Sequence, residues 1–257
     1  MHKENNLSGI LFINKPKGIT SFDCIRHIKK IFKQKIKIGH AGTLDDFATG
    51  LLIVCIGRET TKRINEFMNL DKEYVVKAKL GELTDTLDYT GKSSQQVTLQ
   101  NTPGEQESHI SKEDLQKVIK EFPKSYTQVP PIYSALKHKG KPLYHRARNK
   151  KIEEEKLEEI VKQKSREVNI YDLELLDFDY PFFSVKTRVS KGTYIRSLAN
   201  DIAQKLNIPA TTYELERTKI GPISLVDAVK LDDLKSFDDI KDNLKENLLI
   251  DPETSSG

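Results

Sequence analysis

Six consecutive apolar residues, LLIVCI at positions 51–56, directly follow a segment of small, hydroxylated and acidic residues, GHAGTLDDFATG. A short apolar run between turn-forming residues is typical of a strand buried on both faces. A second run, EYVVKAKLG, alternates between apolar and polar positions from residue 74 to residue 80, which predicts a strand with one face against a core. The chain is therefore expected to contain a sheet, and the segment before residue 51 is expected to be a loop held against the core.

Other segments add strands and helices in mixed order. GILFINK is predicted to be a strand, and residues 166–179 and 182–190 the arms of a hairpin around Pro181. Helices are predicted after the capping residues Thr20 and Ser111, in residues 59–68 and 153–164, and in IRSLANDIAQKLN. Residues 92–109 are predicted to form a long loop. Together these elements predict an α+β fold with a mixed, largely antiparallel central sheet flanked by helices and loops.

Composition narrows the class of protein. The 257 residues are 37% hydrophobic and 31% charged, with no run of ~18 apolar residues for a membrane span and no signal-peptide block. We therefore expect a cytoplasmic protein with no membrane partner. The two cysteines and six histidines lack metal-ligand spacing, and GKSS lacks the first glycine of a phosphate-binding loop because Thr86 occupies that position. Disulfides, bound metals and nucleoside triphosphates are not expected.

Charge is unevenly distributed along the chain. Residues 231–257 contain eight acids and three bases, so this tail carries −5 and the preceding residues +9. Residues 122–152 contain eight Lys or Arg, three interleaved tyrosines and no acid. Such a stretch suits either a polyanion with stackable bases or a solvated lysine-rich face.

Three side chains stand out as candidates for chemistry. Asp45 lies in the loop before the apolar strand, Tyr74 begins the alternating strand, and Arg196 falls in the first turn of a predicted helix. A carboxylate is a competent covalent nucleophile. A cation in the first turn opposes the helix dipole by a few tenths of a kcal/mol. Helix stability therefore does not explain Arg196, and a partner carboxylate or phosphate does.

Several longer motifs resemble the TruB family of tRNA pseudouridine synthases. LFINKPKGITS, GHAGTLDDFATGLL, DKEY, QVPPIYSALKHKGKPLYHRAR and SKGTYIRSLANDI occur in the order and approximate spacing of that family. The resemblance covers most of residues 9–230. It implies a pseudouridine synthase-like fold and cofactor-free isomerisation of uridine to pseudouridine within tRNA, usually at the T-loop uridine conventionally numbered 55.

The resemblance also implies roles for individual residues. Asp45 matches the family's nucleophile, Arg196 is the expected partner that orients it, and Tyr74 matches the tyrosine that stacks on the target base and can transfer a proton. Whether the nucleophile attacks the ribose or the base stays open. Residues expected to contact the RNA are His40, Lys62, Leu215, Lys137, Lys139, Lys141, Arg146 and Arg148. The last five lie in the basic stretch of residues 122–152, which resembles the family's segment that closes over the T arm.

Two features depart from the family pattern. Asp46 stands where the family usually has proline, and we expect its carboxylate to point away from the pocket, because adjacent carboxylates sharing a site oppose each other's ionisation. Residues 231–257 are too few for the C-terminal RNA-binding domain of many bacterial members. We expect a catalytic domain at 9–230, followed by a short acidic helix and a disordered tail at 231–257, with the helix docked on the domain.

The expected partner is the tRNA T arm, without guide RNA, and the expected state is a monomer. Two other functions remain open: a non-catalytic RNA-binding or tRNA-folding protein on the same scaffold, and a synthase acting on other RNA. A basic hydrolase of small substrates is disfavoured because no second carboxylate or metal set is visible.

Overall fold

A computed structural model describes residues 7–32, 35–96, 110–131, 137–138, 141–142 and 159–245. The chain divides into two compact units, the first formed by residues 1–75 and 215–257 and the second by residues 76–214. The strands are β1 (Gly9–Lys15), β2 (Ile38–Ala41), β3 (Thr49–Ile56), β4 (Lys72–Leu80), β5 (Glu82–Thr84), β6 (Ser93–Gln96), β7 (Ser125–Gln128), β8 (Lys137–His138), β9 (Lys141–Pro142), β10 (Arg166–Asp179), β11 (Phe182–Val189), β12 (Ala210–Ile220), β13 (Ile223–Ser224) and β14 (Val229–Lys230). The helices are α1 (Ser21–Ile31), α2 (Arg58–Lys62), α3 (Ile64–Asn69), α4 (Lys112–Glu121), α5 (Ile195–Gln204) and α6 (Phe237–Asn243), with 3-10 turns at Leu225–Asp227 and Leu231–Asp233.

The first unit is built on a mixed sheet in the order β14, β1, β3, β12, β4. β1 pairs antiparallel with β3, and β2 pairs antiparallel with β3 near its C-terminal end. β14 runs parallel to β1, and β12 runs parallel to β3. As predicted, residues 51–56 form a strand that is wholly buried. This strand begins immediately after the Asp45 loop, so the loop is anchored to the centre of the unit.

Apolar residues of β1 and β3 alternate between two cores. Leu11 and Leu52 belong to one core, together with Ile25 and Ile28 of α1. Phe12 and Ile53 belong to the other, on the opposite side of the sheet. This division follows from the two-residue period of strand side chains.

Helix α1 begins at the predicted capping box. The Thr20 hydroxyl accepts the Asp23 backbone N–H at 3.0 Å, and the Asp23 carboxylate accepts the Thr20 N–H at 2.9 Å. Buried Cys24, Ile25 and Ile28 form the face turned to the core. The helix start is therefore fixed close to the Asp45 loop, which it contacts through its first residue.

The second unit contains the first residues of β12, the last residues of β4, and the strands β11, β10 and β7. Their order in the sheet is β12, β4, β11, β10, β7. β10 and β11 form the predicted antiparallel hairpin, with Asp179 opposite Phe182. β7 pairs antiparallel with the start of β10, with Gln128 opposite Arg166. The α+β class and the mixed, largely antiparallel sheet are thus confirmed.

Two predicted segments differ in detail from the structure, and a third is described only in part. Residues 59–68 form two short helices, α2 and α3, rather than one. The predicted loop at 92–109 begins with β6, whose backbone pairs with β5, so Gln- and Ser-rich composition did not exclude a strand; residues 97–109 lie outside the described residues. Of the predicted helix at 153–164, residues 153–158 lie outside the described residues, and residues 159–162 are helical.

Candidate active site

The Asp45 loop, residues 42–48 between β2 and β3, is bonded to the start of α1. The Ser21 hydroxyl accepts the Leu44 N–H at 2.9 Å and donates to the Leu44 carbonyl at 3.2 Å. The Gly18 N–H donates to the Asp46 carbonyl at 2.8 Å. Backbone bonds on both sides of Asp45 therefore restrict the loop conformation before any substrate binds.

Two buried cations, Lys15 and Arg217, also bind the loop. The Lys15 ammonium donates to the Asp46 carbonyl at 3.3 Å and to the Pro16 and Ile19 carbonyls at 2.9 and 2.8 Å. Burial lowers the pKa of Lys15, while Cys24, Asp46 and Asp45 act in the opposite direction. Sequence reasoning missed this residue as part of the site, although a lysine at the end of an apolar strand was a visible signal.

Arg217, 1% exposed, binds the other end of the loop. Its Nε donates to the Leu51 carbonyl at 2.8 Å, and its Nη2 donates to the Gly42 carbonyl at 3.1 Å. Gly50, with φ of +102°, lies so close to the Arg217 backbone that an added Cβ would be 2.4 Å from its carbonyl oxygen. Only glycine fits there, and the close approach fixes β12 beside the end of the loop.

The two adjacent carboxylates have different environments. Asp45 is half-buried, whereas Asp46 is exposed. The Asp45 carbonyl accepts the Ala48 N–H at 3.1 Å, which closes a turn within the loop. That the Asp46 carboxylate points away from the pocket stays a prediction.

Tyr74 and Leu215 lie on neighbouring strands of the first unit. Tyr74 is on β4 and is 9% exposed, and Leu215 is on β12 and is 6% exposed. The next residue of β12, Glu216, pairs with Thr49, four positions after Asp45. In the sheet order, β3, which directly follows the Asp45 loop, lies beside β12, which carries Leu215. β12 in turn lies beside β4, which carries Tyr74.

His40 lies on β2, opposite Val54 of β3. Burial and the nearby charge of Arg217 lower its pKa, which favours the neutral imidazole. Its buried Nδ1 has no hydrogen-bond partner among the residues that the structure describes. His40 thus has an unused polar atom two residues before the Asp45 loop.

Lys62 is exposed at the C-terminal end of α2. Its ammonium contacts the Glu59 carboxylate at 2.9 and 3.0 Å, and both side chains are well exposed. An exposed pair three residues apart contributes little to stability. Lys62 can therefore exchange this partner for a phosphate at small cost.

Arg196, in the second unit, is a buried arginine at the start of α5. It is 5% exposed, and its Nη1 contacts the Asp88 carboxylate at 3.0 Å and the Thr86 carbonyl at 2.5 Å. Asp88 is equally buried and accepts the Thr90 N–H at 3.0 Å. The structure thus shows a carboxylate partner of the kind predicted from the helix dipole. Sequence reasoning missed Asp88 because it is 108 residues away along the chain, and that Arg196 also orients Asp45 stays a prediction.

The basic stretch at 122–152 is described only in part. Lys139, Arg146 and Arg148 lie outside the described residues, and Lys137 and Lys141 belong to the short antiparallel pair β8 and β9. Their expected contacts with RNA therefore stay predictions.

The described residues offer little support for other kinds of site. Within these ranges, no cluster of three or more His, Cys, Asp or Glu side chains is arranged to bind a metal. Both cysteines are buried and free, and burial raises the pKa of each thiol to about 11. No helix in the same ranges combines the length and the apolar character that crossing a membrane requires.

Known proteins resemble this chain along most of its length. The family model for the N-terminal domain of TruB family pseudouridylate synthases matches residues 29–195. A tRNA pseudouridine synthase B of Clostridium tetani is 44% identical over 228 residues, which are 89% of this chain and 73% of the relative. That of Desulfotalea psychrophila is 41% identical and covers 89% of this chain and 88% of the relative.

Solved structures show the same fold. A chain in the crystal structure of a Cbf5-Nop10-Gar1 complex superposes with a TM-score of 0.63 at 26% identity, over 88% of this chain and 53% of that chain. A chain in the structure of an H/ACA RNP bound to a substrate RNA has a TM-score of 0.61 at 24% identity and likewise covers 88% of this chain. This protein spans about half the length of both. The family model and the bacterial relatives confirm the resemblance seen in the motifs: the chain belongs to the TruB family of pseudouridylate synthases.

Proposed function

We propose that this protein converts the T-loop uridine conventionally numbered 55 of tRNA to pseudouridine, with Asp45 as the nucleophile. The observation that carries the proposal is the Asp45 loop: the Asp45 side chain is half-buried, and Ser21, Lys15 and Arg217 hold the loop backbone through Leu44, Asp46 and Gly42. Relatives that are 41–44% identical are named tRNA pseudouridine synthase B, which supports tRNA as the substrate.

The reaction needs no redox partner. The bond between uracil N1 and ribose C1′ breaks, a carbon–carbon bond forms at C5, and the C5 proton is exchanged for one on N1. A carboxylate can carry the detached fragment as a covalent adduct, either on the ribose or on the base. We propose no cofactor.

The remaining site residues are proposed to have the roles that the family resemblance implies. Tyr74 stacks on the target base and can transfer a proton, and Leu215 forms a wall of the pocket. Arg196 orients Asp45 and favours its ionised form. Lys62 binds phosphate, and His40, whose Nδ1 has no hydrogen-bond partner within the described ranges, contacts the flipped-out nucleotide.

The basic stretch supplies the main electrostatic affinity for the T arm. Its proposed contacts are Lys137, Lys139, Lys141, Arg146 and Arg148. Affinity of this kind depends on phosphates rather than on base sequence, so base recognition falls to the pocket. We propose that the protein acts as a monomer in the cytoplasm and without guide RNA.

A synthase directed to other RNA is the second candidate, because the superposed H/ACA structure contains a substrate RNA. The higher identity to the tRNA enzymes, 44% against 24%, favours tRNA. A tRNA-folding protein without catalysis would not require the restrained Asp45 loop.

The test is a single-turnover assay on unmodified tRNA transcripts, with pseudouridine mapped by carbodiimide reactivity. Wild type should modify the T-loop uridine and fail on a transcript with cytidine there. Asp45→Asn should give no product, whereas Asp46→Asn, the matched control on the adjacent exposed carboxylate, should retain activity. Product at another site would overturn the assigned position, and activity of Asp45→Asn would overturn the nucleophile. Restored folding of misfolded tRNA without any product would favour the tRNA-folding function.

A further inference from the structure

A row of buried and half-buried polar side chains joins strand β7 to helix α5 in the second unit. From β7 come Tyr126 and Gln128, which lie two residues apart and so share one face of the strand. α5 contributes Ser197 and Asp201, and its N-cap residue is Tyr194. The spacing of these three residues places them along one face of the helix. The Tyr126 hydroxyl donates to the Asp201 carboxylate at 2.8 Å, and the Ser197 hydroxyl donates to the carbonyl after Gln128 at 3.0 Å. We call these five residues the polar seam.

Gln128 is the centre of the seam and is 1% exposed. Its Oε1 accepts the Tyr194 N–H at 2.7 Å, and its Nε2 donates to the Tyr194 carbonyl at 3.1 Å. The same Nε2 donates to the Tyr126 hydroxyl oxygen at 2.8 Å. One amide thus satisfies both backbone polar groups of Tyr194, as a neighbouring strand would.

Tyr194 is held from a second side. The guanidinium of Arg166 lies 4.7 Å from the centre of the Tyr194 ring. An added Cβ on Gly192 would be 2.8 Å from an Arg166 nitrogen, so the glycine makes room for this contact. The residue at the start of α5 therefore has fixed backbone and side-chain positions.

Tyr194, held in this way, lies two residues before Arg196 in the chain. Tyr194 is the N-cap residue of α5 and has no side-chain cap of its own, and Arg196 is the second residue of the helix. The first turn of a helix leaves backbone N–H groups without intrahelical partners, so its direction depends on contacts from outside. Gln128 supplies such contacts two residues before Arg196, whose guanidinium reaches Asp88 at 3.0 Å.

We propose that Gln128 is a positioning residue for pseudouridine formation, because it fixes the Tyr194 backbone and thereby the place of the Arg196 guanidinium. The inference rests on the proposed function, in which Arg196 acts on Asp45. Gln128 itself is buried within the seam and touches no reacting atom.

The discriminating variant is Gln128→Glu. A protonated carboxyl can still accept from the Tyr194 N–H and donate one hydrogen bond, whereas an ionised one would face the Tyr194 carbonyl without a donor. Burial raises the pKa of such a carboxyl. The other titratable or charged groups that face the seam are Asp201, Tyr126 and Arg166, and Lys205 lies near Asp201. These groups are the same in wild type and in the Gln128→Glu variant. The ratio of variant to wild-type rates therefore isolates the introduced group.

Single-turnover rates on tRNA at saturating enzyme would be measured between about pH 6 and about pH 8. We expect Gln128→Glu to be about 10- to 100-fold slower than wild type at the higher pH, the size typical of a small misplacement of a reacting group. The ratio should rise towards one at the lower pH. The tRNA Kd should change by less than about threefold, since phosphate contacts dominate affinity.

Thr187→Val is the matched control. It removes a buried hydroxyl that donates to the Asp172 carbonyl at 2.8 Å in the same unit, a hydrogen bond outside the polar seam. It should lower Tm and leave the rate and its pH profile unchanged. Tyr126→Phe, which keeps the ring and breaks the bond to Asp201, should lower the rate less than Gln128→Glu does.

A wild-type rate for Gln128→Glu at every pH would overturn the proposal. An equal rate loss in a Thr187→Val protein of equal Tm would also overturn it, because the effect would then follow stability alone. If wild type forms no pseudouridine, the proposed function fails and this inference fails with it. Active wild type with unaffected Gln128 variants would refute only the positioning role.

Discussion

The buried pair of Arg196 and Asp88 gives the sharpest prediction for stability. Asp88→Asn removes the negative charge but keeps an oxygen that can accept from Thr90. The two side chains are only 5% and 6% exposed, so water cannot screen the guanidinium left behind. Breaking one side of a buried pair costs about 3–5 kcal/mol. For a chain of this size the loss corresponds to a fall in Tm of roughly 6–20 °C.

Urea unfolding measures this loss. The chain has nine tyrosines and no tryptophan, so tyrosine fluorescence and far-ultraviolet circular dichroism are the two probes, and their agreement tests for a two-state transition. Glu59→Gln breaks the exposed pair with Lys62 and is the matched control, with an expected loss below about 1 kcal/mol. Combining Asp88→Asn with Arg196→Met should cost less than the sum of the single losses, because neither charge is then left alone.

The reasoning would be refuted by an Asp88→Asn protein as stable as the Glu59→Gln control. It would equally be refuted by additive losses in the double variant. The rate of pseudouridine formation by Asp88→Asn should fall as well, measured below its Tm, because Arg196 then loses its ion pair with the Asp88 carboxylate.

Three further predictions concern chemistry, RNA binding and pH. Asp45→Asn should abolish turnover and leave tRNA affinity within several-fold of wild type, since affinity comes from phosphate contacts, as a filter-binding titration would show. Replacing Lys139, Lys141 and Arg148 together by Ala should make the logarithm of the tRNA binding constant less dependent on the logarithm of the salt concentration. The slope should fall by up to about 0.9 for each phosphate that is no longer neutralised. An unchanged slope would exclude this stretch from the RNA interface. Burial raises the pKa of Asp201 above 3.8, so the native state binds more protons and the free energy of unfolding should fall as pH rises from about 4. Asp201→Asn should flatten that part of the pH profile in urea titrations.

Patterns among neighbouring residues predicted the helices and strands whose formation depends on residues close together in the sequence. The alternation around Tyr74 gave β4, the apolar run gave β3, and the hydroxyl–acid spacing at Thr20 gave the start of α1. Each depends on neighbours within a few residues, so the sequence is sufficient.

The contacts that hold the site residues in place could not be predicted in the same way. Arg217 binds carbonyls 166 and 175 residues away, Arg196 binds a carboxylate 108 residues away, and Gln128 binds a backbone 66 residues away. Such pairs form only when the sheet brings distant segments together. A buried lysine or glutamine is also unexpected from residue type, because both are usually exposed.

The packing of residues 231–245 has a consequence for truncated proteins. Leu231, Leu234 and Ile240 are buried in the same core as α1. Lys245 exchanges both backbone hydrogen bonds with Ile10, at 2.8 and 2.9 Å. A recombinant protein that ends at residue 230 would lose this cover, leaving strand groups of β1 and the apolar face beneath them open to other molecules. Unpaired strand edges template intermolecular pairing, so ending the chain at residue 230 would favour aggregation over a smaller active enzyme.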